Sequence, residues 1–490
     1  MRERNRRMNK NEIRICFTAR PQLDHLVIKL YASMKQSYGT CIKSGFITSN
    51  SKESAFIQRS VIDTDIKIHE VSSYFRKHWN EFTYDKFVFY EKKYECSPIW
   101  KYIYSDRFLI EKDFNYCIKI TVGYFHFFEK IFSEYKYQCY YDESVSTIQS
   151  YIAYLVGRKQ KVTYMAQIPA RGGIENKYNY LSVDPMDNLI NFNKEYLNME
   201  YDAEEIIGAE KFLEDFESRD PRPAGLSYSD IELKFKPKFR ISYALSPLKY
   251  IRNRFDTYKN DKYFYMYYQS YRKILDNEKF LIRYHISKKY YRNADYSQKY
   301  VFYPLHYQPE SSTLVRAKKY EKQLFYIDSW AKSLPADTLL YVKEHYVVLG
   351  NRKLSFYKEL KKYPNVILIS PWESSRKLIL HSQAVTTLTG TAGFEAMLLR
   401  KPVIISGNVF YQDAPGVVKV DDIYGKYLDI MNQWKQPDRQ EIIKYLCEYF
   451  RNISEGCSDY TSVETYTEEN IRYLANDLYR KIIRMTESAD

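Results

Sequence analysis

Apolar runs alternate with amphipathic stretches along much of the chain, most clearly between about 300 and 420. KYVFYPL (299–305), LLYVKEH (339–345), NVILIS (365–370), AVTTLT (384–389) and PVIIS (402–406) read as five short strands. They are apolar nearly throughout, as strands covered on both faces of a parallel sheet must be. Between them, 313–334 has helical spacing, with Leu314, Ala317, Tyr320, Leu324 and Ile327 near one face. SFYKELKKY, SSRKLILHSQ and TAGFEAMLLR (391–400) read as shorter helices. Strands alternating with helices in this way predict βα units on a parallel sheet.

The first half follows a similar pattern less cleanly. IRICFTA (13–19) reads as a strand leading into a helix near Leu26, and SGFITS (44–49) and KFVFYE (86–91) read as further strands. CIKITVGYFHFFEKIF (117–132) reads as a helix, QCYYDE as a strand, SVSTIQSYIAYLVGRKQ as a helix and KVTYMAQ (161–167) as a strand. The loop PARGGIENKYN (169–179) is polar and is expected to be mobile, and the tail beyond Asp438 reads as helical. The pattern therefore predicts an α/β chain of two doubly wound, Rossmann-like domains facing a central cleft, with C-terminal helices. The expected boundaries are 1–296, 297–437 and 438–490.

Composition narrows this picture. The 490 residues are 45% hydrophobic, enough for sizeable cores, and no stretch approaches about 18 consecutive apolar residues. The basic start lacks the apolar region of a secretory signal, so a cytoplasmic protein is expected. Seven scattered cysteines and eight histidines without ligand spacing imply neither a disulfide framework nor a bound metal. The 52 tyrosines read either as a sugar-stacking surface or as biased residue usage along the whole chain.

Charge is unevenly placed. Residues 234–292 carry 16 Lys/Arg against 4 Asp/Glu, interleaved with aromatics, whereas 195–220 carry 10 acidic and 2 basic residues. The basic segment suits an anionic lipid surface or a polyanionic acceptor, or it packs on the acidic segment before it. No nucleic-acid-binding motif accompanies it, so nucleic acid is not expected as a partner.

Ligands of open α/β sheets bind beyond the carboxyl ends of the strands, and polar residues collect there. Thr389, Gly390, Thr391, Gly393 and Glu395 span a strand-to-helix turn. The glycines permit close backbone approach, Thr391 can cap the helix or meet phosphate, and Glu395 can accept from ribose hydroxyls. The pattern is neither GxGxxG nor a P-loop. His306, Gln308 and Glu310 follow the first strand of this region, and Lys343 and His345 end the second, alternating to the same side. In the first half, Glu143 after an apparent strand is a candidate general base at the start of a helix, with Asp106 beside Arg107 as a second acid. Arg171 in the polar loop could meet an anionic substrate. Each feature also has a bland reading as a capped helix or a polar turn.

YPLHYQPESST, LYVKEH, ILISPWESS and above all GTAGFEAMLLRKPVIISGNVFY resemble capsular polysaccharide biosynthesis proteins. These are bacterial glycosyltransferases of the GT-B fold that include Kdo transferases. The resemblance covers roughly 300–412. It implies a C-terminal domain that binds a nucleotide-sugar donor, with no tightly bound cofactor and no metal. Thr389, Thr391 and Gly393 would then line the phosphate site, and Glu395 would meet the ribose. Lys343-Glu344-His345-Tyr346 is similar to a K-x-H-P element whose His contacts the phosphate of CMP, but Tyr346 replaces Pro, so CMP-, UDP- and GDP-linked donors stay open. The expected partner is a glycan or lipid-linked glycan acceptor at the cytoplasmic face of the inner membrane. A sugar-nucleotide epimerase of the same fold and a non-catalytic glycan- or nucleotide-binding scaffold are the alternatives.

Overall fold

The structure is a computed structural model that describes residues 12–21, 23–63, 65–218, 261–266, 270–308 and 310–487. Of the basic aromatic segment 234–292, residues 234–260 and 267–269 lie outside the described residues. The chain forms two compact units. The first holds residues 1–190, 261–266 and 453–490, and the second holds 191–260 and 267–452.

The first unit is built on β1 (Ile13–Thr18), β2 (Ile42–Thr48), β3 (Lys67–Glu70), β4 (Cys139–Tyr141), β5 (Thr163–Pro169) and β6 (Tyr178–Ser182), with a two-residue strand Ser454–Glu455 at one edge. The order is Ser454–Glu455, β6, β5, β4, β1, β2, β3. β5, β4, β1, β2 and β3 run parallel, while β6 pairs antiparallel with β5 and with the edge strand. Ile15, Phe17, Phe46, Tyr141 and Met165 on the sheet pack with Leu26, Val27 and Leu30 of the helix Asp24–Tyr38 and with Leu474 and Leu478 of the last helix, Glu468–Glu487.

The second unit carries six parallel strands, β7 (Lys299–Pro304), β8 (Thr338–Lys343), β9 (Val366–Ile369), β10 (Ala384–Thr387), β11 (Val403–Ile405) and β12 (Val417–Lys419), in the order β12-β11-β10-β7-β8-β9. Val301, Tyr303, Leu340, Val342, Leu368 and Ile404 form its core with Tyr320, Tyr326, Trp330 and Tyr357. Many tyrosines are thus core residues. Tyr303 and Tyr326 meet at 5.1 Å in an edge contact, and Tyr300 stacks on Tyr341 at 4.0 Å. Both units are Rossmann-like α/β layers, as the alternating pattern predicts.

Several local expectations change. KFVFYE is part of the helix Tyr84–Lys93, not a strand. Thr83 caps it by accepting from the Lys86 amide, and Phe87, Tyr90 and Tyr94 fall on one buried face, where both tyrosines stack on Phe125. The stretch 313–334 is not one helix. It divides into Ser311–Leu314, a 3-10 turn Lys318–Tyr320 and Gln323–Ala331. The break lets the buried Gln323 side chain hold both the amide and the carbonyl of His306. Polar loop 169–179 is the connection of a β-hairpin, with Gly172 and Gly173 at φ of 102° and 85°, where a side chain would strain the backbone.

The division of the chain also differs from boundaries at 296/297 and 437/438. The helix Ala203–Ser218 lies in the second unit, where Glu205 and Glu217 pair with Arg451 and Arg439 of the helix Arg439–Arg451. The acidic segment therefore finds partners in the tail. Glu468–Glu487 instead returns to the first unit.

Candidate functional site

β10, β7 and β8 are neighbours in the sheet and run parallel, so the turns after them meet at one edge. His306, just past β7, is 7% exposed. Its Nε2 accepts the Leu388 amide at 3.1 Å and lies 3.0 Å from the Thr387 hydroxyl, which itself accepts from the Gly390 amide. An imidazole that accepts at Nε2 carries its proton on Nδ1. Burial, then the charges of Arg352, His345 and Arg316, pull its pKa down to about 3, so the ring is neutral. Arg352 donates to the His306 carbonyl at 2.7 Å while pairing with the buried Glu344 at 3.0 Å.

Among the residues expected to contact a ligand, some are committed to the frame instead. Gln308 gives its amide to the Glu321 carbonyl and to Thr313, and accepts from Gln323. The Thr389 hydroxyl donates to the Ser312 carbonyl at 3.1 Å, which ties the β10 turn to the β7 turn. Gly390, not Thr391, is the N-cap of the helix Thr391–Leu398. A Cβ at Gly390 would stand 2.7 Å from Thr387 Oγ1 and 3.2 Å from His306 Cε1. At Gly393 it would stand 2.2 Å from the Tyr411 hydroxyl, which donates to the Gly390 carbonyl at 2.5 Å. These glycines admit neighbouring side chains rather than only a ligand.

Other residues remain available to a ligand. Thr391 is exposed in the first turn of its helix, and the amides of Thr391 and Ala392 find no acceptor among the described residues. A helix start of this kind attracts anions. Lys343 is 7% exposed and donates to Ser375 Oγ at 2.8 Å. Burial pulls its pKa down to about 8, against the opposing charges of Glu395 and Glu373. Glu395, half-buried in the helix, also acts on Tyr346 and Tyr411. His345 accepts the Val347 amide at Nδ1, which leaves its proton on Nε2, and its pKa is lowered by burial and then by Lys343. Exposed Glu310 bonds the Ser312 hydroxyl and contributes to the field at His345. Arg316 was not foreseen from the sequence. Its charge reaches both His306 and Tyr411, yet it stands in no motif.

Glu143 and Asp106 belong to the first unit. Glu143 follows β4 but does not begin a helix, since the next one, Ile148–Gln160, is capped by Thr147. Its carboxylate pairs with Arg20 at 2.5 Å and is 27% exposed, while the neighbouring Asp142 is fully buried against the same guanidinium at 3.1 Å. Asp106 is 0% exposed. It accepts from the Phe108 and Ile148 amides, each at 2.7 Å, and from the Tyr265 hydroxyl at 2.9 Å. It is thus an interior cap, and burial raises its pKa. Arg171 lies in the β5–β6 connection. Among the described residues no cluster of three or more His, Cys, Asp or Glu is placed to hold a metal ion, and no helix is long and apolar enough to cross a membrane.

The chain can now be set beside known proteins. No curated protein sequence matches it. Among solved structures, the β-Kdo 2,4 transferase of KpsC from Thermosulfurimonas dismutans is 15% identical, with a TM-score of 0.34 over 70% of this chain and 87% of that one. The β-Kdo 2,7 transferase of the same protein is 11% identical, with a TM-score of 0.34 over 95% and 99%. A UDP-GlcNAc 2-epimerase from Methanocaldococcus jannaschii is 15% identical, with a TM-score of 0.25 over 90% and 98%. Residues 235–442 match the family model described as capsule polysaccharide biosynthesis protein. That matched segment holds every candidate residue of the second unit.

Proposed function

We propose that the chain is a glycosyltransferase that moves a sugar from a nucleotide-sugar donor to a growing capsular polysaccharide. The observation that carries this reading is the meeting of the β7, β8 and β10 turns at one sheet edge inside the family-matched segment. There a buried lysine and the open amides of a helix start face the same region as a half-buried glutamate. The Thr391 and Ala392 amides, the Thr391 hydroxyl, Lys343 and His345 would hold the donor's phosphates and stabilise the charge that grows on the departing nucleotide. Glu395 would accept from the ribose, and Glu310 would bind a further hydroxyl. His306, Gln308, Thr389, Gly390 and Gly393 would keep this frame rigid.

In this reading Glu143 removes the proton from the acceptor hydroxyl, and Arg20 orients its carboxylate. Asp106 supports the fold around it. The acceptor is a glycan or lipid-linked glycan, and the enzyme works at the cytoplasmic face of the inner membrane, with the basic segment 234–292 against anionic lipid. The nucleotide is CMP, UDP or GDP.

A thermal-shift panel of CMP, UMP, UDP, GDP and dTDP against the wild type, Thr391→Ala and Glu395→Ala tests the donor site. A ligand present at 100 times its Kd adds about 2.7 kcal/mol to the folded state. One nucleotide stabilising the wild type and losing its effect in both variants is the expected result. No shift at millimolar nucleotide overturns the donor site. Release of free nucleotide only when an acceptor is present would favour a transferase over an epimerase.

A further inference from the structure

The chain has five tryptophans, and four of them are held by named partners. Trp79 and Trp100 meet neighbouring aromatic rings, Trp330 is buried against Tyr326 and Tyr427, and the Trp434 indole donates to the Gly416 carbonyl at 2.9 Å. Trp372 differs. It is half-buried, joins neither of the two sheet cores, and its indole makes no hydrogen bond or ring contact among the described residues. Its backbone is nonetheless fixed. The Glu373 amide donates to the Ser370 carbonyl at 3.2 Å, the Trp372 amide donates to the Ser370 hydroxyl at 3.3 Å, and Ser374 caps the helix Ser375–His381. A buried or half-buried indole ordinarily finds a partner for its N–H and its ring. Here a rigid turn presents one with neither.

That turn leaves the same sheet edge as the candidate donor site. β8 and β9 run parallel with Lys343 opposite Ile369, and neighbouring strands lie about 4.8 Å apart. Trp372 stands three residues past Ile369, and Tyr346 three residues past Lys343. Lys343 ties the two exits together by donating to Ser375, three residues beyond Trp372, at 2.8 Å. The His345 ring lies against Tyr346 at 5.1 Å with 20° between their planes. Glu395 acts on both Lys343 and Tyr346. Glu373 beside Trp372 is committed, since it accepts from the Tyr296 phenol at 3.1 Å and the Ala294 amide at 3.4 Å. Two aromatic residues therefore follow adjacent strand ends, next to the ammonium proposed to meet phosphate. A nucleotide carries its base one ribose away from its phosphate, so these turns are within the reach of that base. An indole face stacks on any base, because every base has a π-face.

We propose that Trp372, beside Tyr346, is the platform on which the nucleobase of the donor stacks. The proposal rests on the donor-site reading and adds that the base, as well as the phosphate, is held by this chain. Titration of the full chain with CMP, UMP, UDP, GDP, dTDP and ribose 5-phosphate, read by tryptophan fluorescence and thermal shift, tests it. The nucleotide that stabilises the wild type should also quench part of its fluorescence. Trp372→Phe should lose that quench and bind the nucleotide within about threefold of the wild type, because a ring remains. Trp372→Ala should bind it at least about tenfold more weakly. Ribose 5-phosphate, which has no base, should bind weakly and equally to all three proteins. The melting temperature of free Trp372→Phe should match the wild type, so its lost quench is not a folding defect. If the nucleotide binds Trp372→Ala as tightly as the wild type, or still quenches Trp372→Phe, or binds no better than ribose 5-phosphate, the platform is overturned and the donor site stands. If no nucleotide shifts the wild type, the donor site falls and takes the platform with it.

Discussion

His306 Nε2 accepts the backbone amide of Leu388 at 3.1 Å, joining two strand-end turns that lie 82 residues apart in the chain. The bond exists only while that nitrogen is unprotonated. Burial and the neighbouring charges hold the folded pKa at about 3, whereas a histidine in the unfolded chain titrates near 6.5.

Between those two values the unfolded chain binds the extra proton, so the folded state loses stability as pH falls from about 6.5 toward about 3. The contribution is fully present above about 6.5. Urea midpoints at pH 7.5 and pH 4.5 should therefore differ less in His306→Gln than in the wild type. The variant should also lose about 1–3 kcal/mol at pH 7.5, because the Leu388 amide and the Thr387 hydroxyl lose a buried acceptor. An unchanged pH slope would show that His306 is not the titrating group.

Lys343 gives a second pH signature, this time in binding. Its pKa of about 8 means that the charge proposed to meet phosphate disappears as pH rises past 8. Nucleotide affinity of the wild type should weaken between pH 7 and pH 9. Lys343→Met should be about tenfold weaker at pH 7 and flat across the interval. The stability effect runs the other way. A lysine depressed below its unfolded value costs the folded state most at low pH, so the methionine variant should melt at the same temperature or higher at pH 7. Circular-dichroism melts with parallel titrations check both halves, and a variant that loses stability and keeps affinity would refute the assignment.

Five of the six strands of the second unit were legible because each is a short apolar run between polar turns, and hydrophobic burial on both faces demands that pattern. The sixth, β12, is only three residues long, is not fully buried and was not read from the sequence. Tyr84–Lys93 was not legible, because FVFY is a short unbroken apolar run that fits a buried strand as well as a helix face, and the packing of Tyr90 and Tyr94 on Phe125 goes with the helix. The break before Gln323 had one sequence signal, a glutamine ahead of an apolar helix face, but its two bonds to the His306 backbone are set by tertiary structure. The tail read as helical, and the stretch holding Leu474 and Leu478 is the helix Glu468–Glu487. Nothing in that reading says that the helix packs in the first unit. The same limit applied to the site. Polar residues at strand ends were found from position alone, yet position does not tell whether a hydroxyl such as that of Thr389 turns to a ligand or to the Ser312 carbonyl. Arg316 and Arg352 carry no motif and emerge only from their neighbours.

Gly393 and Tyr411 should behave as a coupled pair. Alanine at Gly393 places a Cβ 2.2 Å from the Tyr411 oxygen, which must then give up its bond to the Gly390 carbonyl. Gly393→Ala should cost about 1–3 kcal/mol by overpacking, and Tyr411→Phe about 1 kcal/mol by loss of the hydrogen bond. The phenylalanine removes the atom that clashes most, so the double variant should be less destabilised than the sum of the two singles. Chemical-denaturation midpoints of the four proteins provide the cycle. Strict additivity would mean that the two residues do not share this contact.

Asp106 and Glu143, both acids of the first unit, should separate into different classes of variant. Asp106 has no exposed surface, and its oxygens accept two amides and a phenol, one of the amides from the first residue of the helix Ile148–Gln160. Asparagine keeps one acceptor and points an N–H₂ group at donors, so Asp106→Asn should cost about 2 kcal/mol of stability while kcat per folded molecule stays near the wild type. Glu143 is partly exposed, and Arg20 keeps its second partner Asp142 when Glu143 is neutralised. Glu143→Gln should therefore change the melting temperature little. As the proposed base it should lower kcat by a factor of about 10²–10⁴ and leave nucleotide affinity unchanged. Paired melting curves and single-turnover transfer assays distinguish the two residues. A Glu143→Gln enzyme that turns over at the wild-type rate would remove Glu143 from the mechanism, and an Asp106→Asn enzyme that is stable but inactive would return Asp106 to it.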